Sequence, residues 1–287
     1  MTNPLPDGRL TRGEFRVGHV FSLAWSVFAR NFFKFTIISA ITFLPFVPLI
    51  VVLRRFAPAD LAANANVLVT WLLVGAAAAI FLSLFCQAIL LHAAFQDMSG
   101  RPGNLAESAK VALGRLLPII GIGLIGVVVM LVYIIALGIV VGAIGGSLQS
   151  PGFAILAFLL GIIPGVMIYL MWVVAIPACV VERLGPFRSL GRSQALTKGH
   201  RWKIFGQQLT LLIAGLVLGL LIGVVLNVLG GALGPGATLT TIVNLIVNLV
   251  WYAGWIAFGI MILVVTYHDL RVAKEGIGTD QIAAVFE

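Results

Sequence analysis

Three acidic residues stand where long apolar runs of the sequence end, and an arginine lies close to each of them. The acids are Asp97, Glu182 and Asp269, and the arginines are Arg101, Arg183 and Arg271. Acids and bases grouped in this way could contact a partner protein or the headgroups of lipids. They could also form ordinary interfacial salt bridges to the next amphipathic helix, and we favour this second interpretation.

The densest group of basic residues lies in segment 183–203, directly after the second of these acids. Lysine and arginine close to an anionic leaflet gain about 1 kcal/mol each, and tryptophan is enriched at the membrane interface. We therefore predict a headgroup- or partner-binding site formed by Arg188, Arg192, Lys198, Arg201 and Trp202. In this prediction, Glu182 and Asp269 orient the helices around the basic residues.

A hydroxyl side chain recurs every four residues in the same segment, at Ser189, Ser193 and Thr197. This spacing places the three hydroxyls on one stripe of a helix. Two uses of the stripe stay open: hydrogen bonds to phosphate headgroups, or hydrogen bonds to a neighbouring helix.

Four amide side chains lie inside apolar runs: Gln87, Asn227, Asn244 and Asn248. They could line a polar cavity, although hydrogen bonds between helices are the usual role of such residues. No Asp, Glu, Lys or Arg lies deep within a run, which argues against transport coupled to protons or ions. A channel or facilitator for a small solute or lipid is the alternative function that these amides allow.

The sequence contains no pattern typical of an enzyme. It has no nucleophile elbow, phosphate-binding loop or separated carboxylate pair, and no cluster with metal-ligand spacing. Cys86 and Cys179 each lie in an apolar run, where cysteine behaves as a small hydrophobe. We therefore expect no catalysis, no cofactor and no metal, and two packing thiols rather than a disulfide.

The composition places all these residues in a membrane protein. Of 287 residues, 61% are hydrophobic and 10% are charged, with a mean hydropathy of +1.12. A soluble protein carries about 25% charged residues. The net charge of +8 would suggest nucleic acid in a soluble protein. Here the basic residues lie in short connections, so we expect lipid and not nucleic acid as the partner.

Six apolar runs are long enough to span a bilayer, which takes about 20 residues as a helix. They are Phe35–Leu53, Val67–Phe95, Leu116–Ile144, Gly152–Val181, Ile204–Leu229 and Leu239–Tyr267. All lysines and arginines except Arg54 and Arg55 fall on one side of this arrangement. The positive-inside rule then places both termini in the cytoplasm. We expect one all-α membrane domain over residues 1–287, with no soluble catalytic domain.

Three segments beside the apolar runs are amphipathic: Val17–Phe28, Asn104–Leu116 and Pro186–Lys198. They recur with an offset of 85 residues, which places Val20, Leu105 and Leu190 in register. We predict three units, at about 14–97, 102–182 and 186–269, and a cytoplasmic tail at 270–287. Each unit is an interfacial amphipathic helix followed by a transmembrane hairpin.

Glycines repeat every four residues in two of the runs, at Gly138, Gly142 and Gly146 and at Gly215, Gly219 and Gly223. Such spacing lets the backbones of two helices approach closely. We expect packing within the bundle, and dimerisation is the alternative.

Two stretches resemble a known family. Residues 180–206 read VVERLGPFRSLGRSQALTKGHRWKIFG, and residues 267–276 read YHDLRVAKEG. They are similar to the membrane domain fused to some bacterial glycerophosphodiester phosphodiesterases and to its stand-alone relatives of unknown function. The resemblance implies a six-helix protein of a bacterial inner membrane. The hydrolase part of the fused proteins has no counterpart in this sequence, so the resemblance does not imply phosphodiesterase activity.

Together these observations predict a non-enzymatic membrane module. We expect it to organise lipid, anionic lipid in particular, or to recruit a protein partner at the cytoplasmic leaflet. The sequence leaves its oligomeric state open.

Overall fold

A computed structural model describes residues 15–47, 65–101, 103–148, 151–233 and 238–276. Within these ranges the chain forms nine α-helices and one short 3-10 helix, Leu44–Phe46, which lies between α2 and α3. The α-helices are α1 (Val17–Arg30), α2 (Phe32–Ile41), α3 (Ala65–Met98), α4 (Leu105–Leu148), α5 (Pro151–Trp172), α6 (Ala175–Val181), α7 (Pro186–Thr197), α8 (Arg201–Leu233) and α9 (Thr238–Glu275).

Five helical segments of the described chain are long and apolar enough to cross a membrane: α3, α4, α5 together with α6, α8 and α9. The longest, α4, has 44 residues. At 1.5 Å per residue it is about 66 Å long, more than twice the bilayer's hydrocarbon thickness of about 30 Å. The predicted class, an α-helical multi-pass membrane protein, is confirmed.

The first predicted span, Phe35–Leu53, does not begin as one continuous helix. Helix α2 ends at Ile41, and the 3-10 helix follows after a turn. Pro45 explains this end, since it cannot donate a hydrogen bond to the carbonyl of Ile41 and its ring would collide with that carbonyl. The described part of this run is therefore interrupted, the part from residue 48 onward lies outside the described residues, and the sixth span stays a prediction.

The fourth predicted span, Gly152–Val181, is divided in the same way. A turn at Val173 and Val174 separates α5 from α6. Pro177 stands four residues after Val173, so it removes the hydrogen bond that would have continued the helix.

The three predicted interfacial helices differ in outcome. Helices α1 and α7 are separate helices, whereas Asn104–Leu116 forms the start of α4 without a break. The chain turns after α1 at Asn31, and after α7 at Gly199, where a φ of +87° suits glycine. No such turn interrupts the start of α4, so a separate second interfacial helix is wrong. The three-unit repeat stays a prediction.

The apolar face of α1 packs against protein. Val20, Ala24, Val27 and Phe28 are buried, and α1 contacts α9. Trp25, in the same helix, is 59% exposed. The helical periodicity of Val17–Phe28 therefore corresponds to a helix that packs its apolar stripe against α9.

Buried side chains concentrate in the half of the bundle near Asp97, Glu182 and Asp269, which we call the charged end. The large, fully buried side chains there include Leu90, Leu91, Ile119, Leu170, Ile204, Met261, Ile262, Tyr267 and Leu270. Elsewhere the long helices expose apolar side chains, and the most apolar window of α4 has no buried residue. In a bilayer these exposed surfaces contact hydrocarbon. Contacts between helices therefore stabilise chiefly the charged end.

The glycines of α8 allow close packing against two tryptophans of α9. Trp251 and Trp255 stack with ring centroids 5.1 Å apart. A Cβ at Gly215 would lie 2.7 Å from Nε1 of Trp255, and one at Gly219 would lie 3.4 Å from Nε1 of Trp251. The predicted packing role therefore holds at these positions. On α4, a Cβ added at Gly138 or Gly142 would have no atom within 4 Å in the described part of the chain, so dimerisation stays open there.

Replacing Gly215 by isoleucine should lower the free energy of unfolding by about 1–3 kcal/mol, because the new side chain displaces the Trp255 ring. Gly223→Ile is the matched control, since Gly223 lies on the same helix and a Cβ added there would have no atom within 4 Å. It should change stability by less than about 0.5 kcal/mol. Reversible unfolding in mixed micelles measures both, and equal losses would contradict the packing role.

Candidate functional site at the charged end

Glu182 joins three helices. It follows α6 directly, and its two carboxylate oxygens each accept a hydrogen bond of 2.9 Å from Nε of Arg192 on α7. The hydroxyl of Tyr267 on α9 donates another, at 2.6 Å. The end of α6 and the middle of α7 are therefore fixed to the same part of α9.

Tyr267, Arg271 and Glu275 form one stripe of α9 with four-residue spacing. Glu275 accepts hydrogen bonds from Nη2 of Arg192 at 2.5 Å and from Nε of Arg271 at 3.3 Å. Nε of Arg271 also lies 3.9 Å from Glu182. Burial alone would lower the pKa of Arg192, but the hydrogen bonds and charges of Glu182 and Glu275 outweigh it and raise the pKa. Two carboxylates thus share two permanently charged guanidinium groups.

Asp269 joins α1 to α9. Its side chain is fully buried, and it accepts hydrogen bonds from Nδ1 of His19 at 2.9 Å and Nδ1 of His268 at 3.1 Å. His19 belongs to α1, 250 residues away in sequence. Because both rings use Nδ1 for these hydrogen bonds, neither Nε2 atom takes part in the contact with Asp269. Nε2 of His268 is buried without a hydrogen-bond partner in the described structure.

Asp97 contacts the other end of α1. Nη2 of Arg30 donates to its carboxylate at 2.7 Å, and Nδ2 of Asn31 donates at 3.1 Å. The Arg30 side chain is 48% exposed, so this ion pair is only partly shielded from solvent. Helix α1 is therefore held to the bundle by two acids, of which Asp269 is fully buried and Asp97 is 16% exposed.

The three acids all accept hydrogen bonds from side chains of this chain. This arrangement corresponds to the ion-pair interpretation of the sequence and leaves little room for a partner protein at these carboxylates. Arg192, predicted to bind headgroups, is likewise engaged by two carboxylates. Glu182 and Asp269 lie where they can orient helices, which is the role the sequence suggested for them.

The outer face of α7 carries the remaining predicted cations. Arg188 and Lys198 are exposed, and no carboxylate lies within 4.0 Å of either among the described residues. Phe187 on this face is 78% exposed, and Trp202 at the start of α8 is 69% exposed. We call these four residues the α7 surface.

The inner face of α7 contains the hydroxyl stripe. Ser189, Ser193 and Thr197 are fully buried, and Ser193 donates a 2.7 Å hydrogen bond to the carbonyl of Met171 on α5. Ser189 and Thr197 donate to carbonyls within their own segment. Of the two uses left open, the structure supports contact with a neighbouring helix and excludes direct contact with headgroups.

The start of α8 is electropositive. Nε of Arg201 is buried without a hydrogen-bond partner among the described residues. The ring of His200 packs edge-on against Phe15, with centroids 5.8 Å apart. Burial, together with the charges of Lys274 and Lys203, holds the pKa of His200 below its usual value. His200 is therefore neutral at pH 7 while its surroundings are positively charged.

The four amides predicted to share a cavity do not line one together. Gln87 lines a cavity of about 370 Å³ bounded by α3, α4, α5, α6, α7 and α9, and the three asparagines are absent from its walls. Asn227 and Asn248 instead donate hydrogen bonds to backbone carbonyls four residues earlier.

Sequence reasoning assigned no role to Tyr267, Glu275 or His19. Tyr267 stands 85 residues after Glu182, the same offset that related the predicted units, and it hydrogen-bonds that very residue. The four-residue spacing of Tyr267, Arg271 and Glu275 was a further available signal. Nothing in the sequence connects His19 with Asp269.

The described part of the chain contains no candidate metal-binding site. There, no group of three or more His, Cys, Asp or Glu side chains could hold a metal ion. Cys86 and Cys179 are both buried and unpaired, so neither forms a disulfide.

No family model, curated protein or solved structure matches this chain. The resemblance of residues 180–206 and 267–276 to phosphodiesterase-associated membrane domains therefore stays a prediction.

Proposed function

We propose that this protein is a non-enzymatic membrane module that binds anionic lipid headgroups at its charged end. The observation that carries the proposal is the α7 surface. It combines two exposed cations with two exposed aromatic side chains, and none of the described acidic residues shares the face. Cations bind phosphate oxygens, and aromatic rings are favoured at headgroup level.

The buried face of α7 gives this surface a fixed position. Leu190 and Leu196 are buried, Ser193 is hydrogen-bonded to α5, and Arg192 is paired with two carboxylates. Because the helix is already ordered, binding a headgroup costs little backbone entropy. The paired Arg192 then has a supporting role, and the free cations contact the lipid.

The proposed orientation places the charged end in the cytoplasm. The positive-inside rule favours this side for the basic residues, and the cytoplasmic leaflet is the anionic one. In this proposal a sixth crossing through Phe35–Leu53 returns the chain, so that both termini lie on the same side.

The channel alternative has less support. It required Gln87, Asn227, Asn244 and Asn248 to line one polar path, and only Gln87 lines the cavity described above.

Replacing Arg188 and Lys198 together by glutamine should weaken binding of phosphatidylglycerol up to about 30-fold, because each cation contributes about 1 kcal/mol. Binding of phosphatidylcholine should change little. Native mass spectrometry of the detergent-solubilised protein, titrated with each lipid in turn, measures both occupancies.

The control is Lys34→Gln with Lys110→Gln, which removes the same charge from exposed positions on α2 and α4. This variant should bind phosphatidylglycerol nearly as the wild type does. Equal weakening in the two double variants would show a net-charge effect and contradict a defined site. Unchanged lipid binding, with loss of an acidic protein partner, would instead favour partner recruitment.

A further inference from the structure

The cavity lined by Gln87 has the properties of a ligand site distinct from the α7 surface. Its volume of about 370 Å³ falls within the range of about 300–1,000 Å³ typical of small-molecule pockets. Aliphatic side chains and two glycines, Gly123 and Gly126, form most of its wall, and a Cβ added at Gly126 would have no atom within 4 Å. No Asp, Glu, Lys, Arg or His lines it, so its chemistry suits an uncharged molecule.

Three polar side chains lie in this otherwise apolar wall: Gln87 on α3, and Tyr169 and Trp172 on α5. None of the three side chains has a hydrogen-bond partner among the described residues. The amide, hydroxyl and indole groups can each donate a hydrogen bond. Unsatisfied donors in an apolar region favour a ligand that brings an acceptor oxygen.

The position of the cavity indicates how a ligand would reach it. Gln87 precedes Asp97 by ten residues, so it lies about 15 Å from the charged end along α3. This distance is near half the hydrocarbon thickness of about 30 Å. Val127 and Tyr169, which line the cavity, are 55% and 50% exposed on the outer surface of α4 and α5. The opening therefore faces the bilayer interior at this depth.

We propose that this cavity binds an uncharged, membrane-dissolved molecule that presents a carbonyl oxygen to Gln87, Tyr169 and Trp172. The ligand enters laterally from the bilayer. Its apolar part lies along α4 between Ile122 and Met130, about 12 Å apart along the helix. This site does not depend on lipid headgroup binding at the α7 surface.

A photoreactive probe tests the proposal directly. A benzophenone with a pentyl chain is uncharged, carries one carbonyl and inserts into nearby C–H bonds on illumination. The full-length protein is placed in phosphatidylcholine nanodiscs, labelled with this probe and mapped by peptide mass spectrometry. We expect saturable labelling of the cavity wall, reduced at least tenfold by excess of an alkyl benzoquinone.

Gly126→Leu should abolish most of this labelling, because the new side chain fills the cavity. A Cβ at Gly126 meets no atom within 4 Å, so the change introduces no immediate clash. Gly138→Leu is the matched control on the same helix, also without a neighbour within 4 Å and away from the cavity. It should label as the wild type does. Equal labelling of both variants would overturn the site.

The polar side chains are tested by Gln87→Leu combined with Tyr169→Phe, which keeps the size of both residues. Benzophenone labelling should fall about tenfold, whereas labelling by an alkyl diazirine without oxygen should be unchanged. An unchanged benzophenone signal would overturn the proposed carbonyl recognition. Non-saturable labelling in the wild type would show simple partitioning into the bilayer and overturn the proposal as a whole.

Discussion

Replacing Glu182 by alanine is expected to lower the free energy of unfolding by about 3 kcal/mol, because it removes one partner of a mostly buried charge network. The Glu182 side chain is only 17% exposed. Without it, the hydroxyl of Tyr267 loses its acceptor, and Arg192 retains Glu275 alone. The contacts of Glu182 with α7 and with α9 would be lost together. Reversible unfolding in mixed micelles measures the loss.

Glu107→Ala is the matched control for this change. Glu107 is an exposed acid at the start of α4 that accepts a 2.9 Å hydrogen bond from Gln96. An exposed interaction of this kind contributes about 1 kcal/mol or less. The loss in the free energy of unfolding for Glu182→Gln should lie between those of Glu182→Ala and Glu107→Ala, because glutamine keeps the shape and one acceptor oxygen. Equal stability of Glu182→Ala and Glu107→Ala would refute the network's structural role.

Replacing Asp269 by alanine is expected to release α1 from α9. Two histidines would lose their buried hydrogen-bond acceptor, at a cost of about 3 kcal/mol. If α1 opens locally, its backbone amides should exchange with deuterium about 100-fold faster than in the wild type. Hydrogen–deuterium exchange of the protein in nanodiscs, followed at α1 and at α9, measures this directly.

Asp97→Ala provides the comparison, since Asp97 holds the same helix through the half-exposed Arg30. Its loss should accelerate exchange in α1 by no more than about tenfold, because the Asp97 side chain is 16% exposed where Asp269 is fully buried, and water can replace part of its interaction with Arg30. Similar acceleration in the two variants would show that burial of Asp269 is not what fastens α1. Acceleration spread evenly over all helices would indicate global destabilisation instead.

Apolar run length predicted the long helices well, because lipid allows few backbone structures other than a helix. Run length alone failed near proline. Pro45 and Pro177 each follow the end of a helix by four or five residues within an apolar run, whereas Pro118 and Pro164 lie inside α4 and α5. Hydropathy cannot detect such breaks, since proline removes a hydrogen bond without adding charge or polarity.

The charged residues were predicted less well, since composition does not tell which face of a short helix points inward. Arg188 and Arg192 stand one turn apart in α7, yet the first is exposed and the second binds two carboxylates. The sequence grouped them because both are basic. Only the tertiary contacts of α7 with α6 and α9 separate their roles.

The docking of α1 onto α9 also constrains the order in which the protein can assemble. Chains are synthesised from the N-terminus, and contacts between distant residues form only after both have been made. His19 can therefore acquire its acceptor only after a further 250 residues, up to Asp269, have been synthesised. During that interval the apolar stripe of α1 has no partner helix and must be shielded by lipid or a chaperone. The docking of α1 is therefore complete only after α9 has been synthesised.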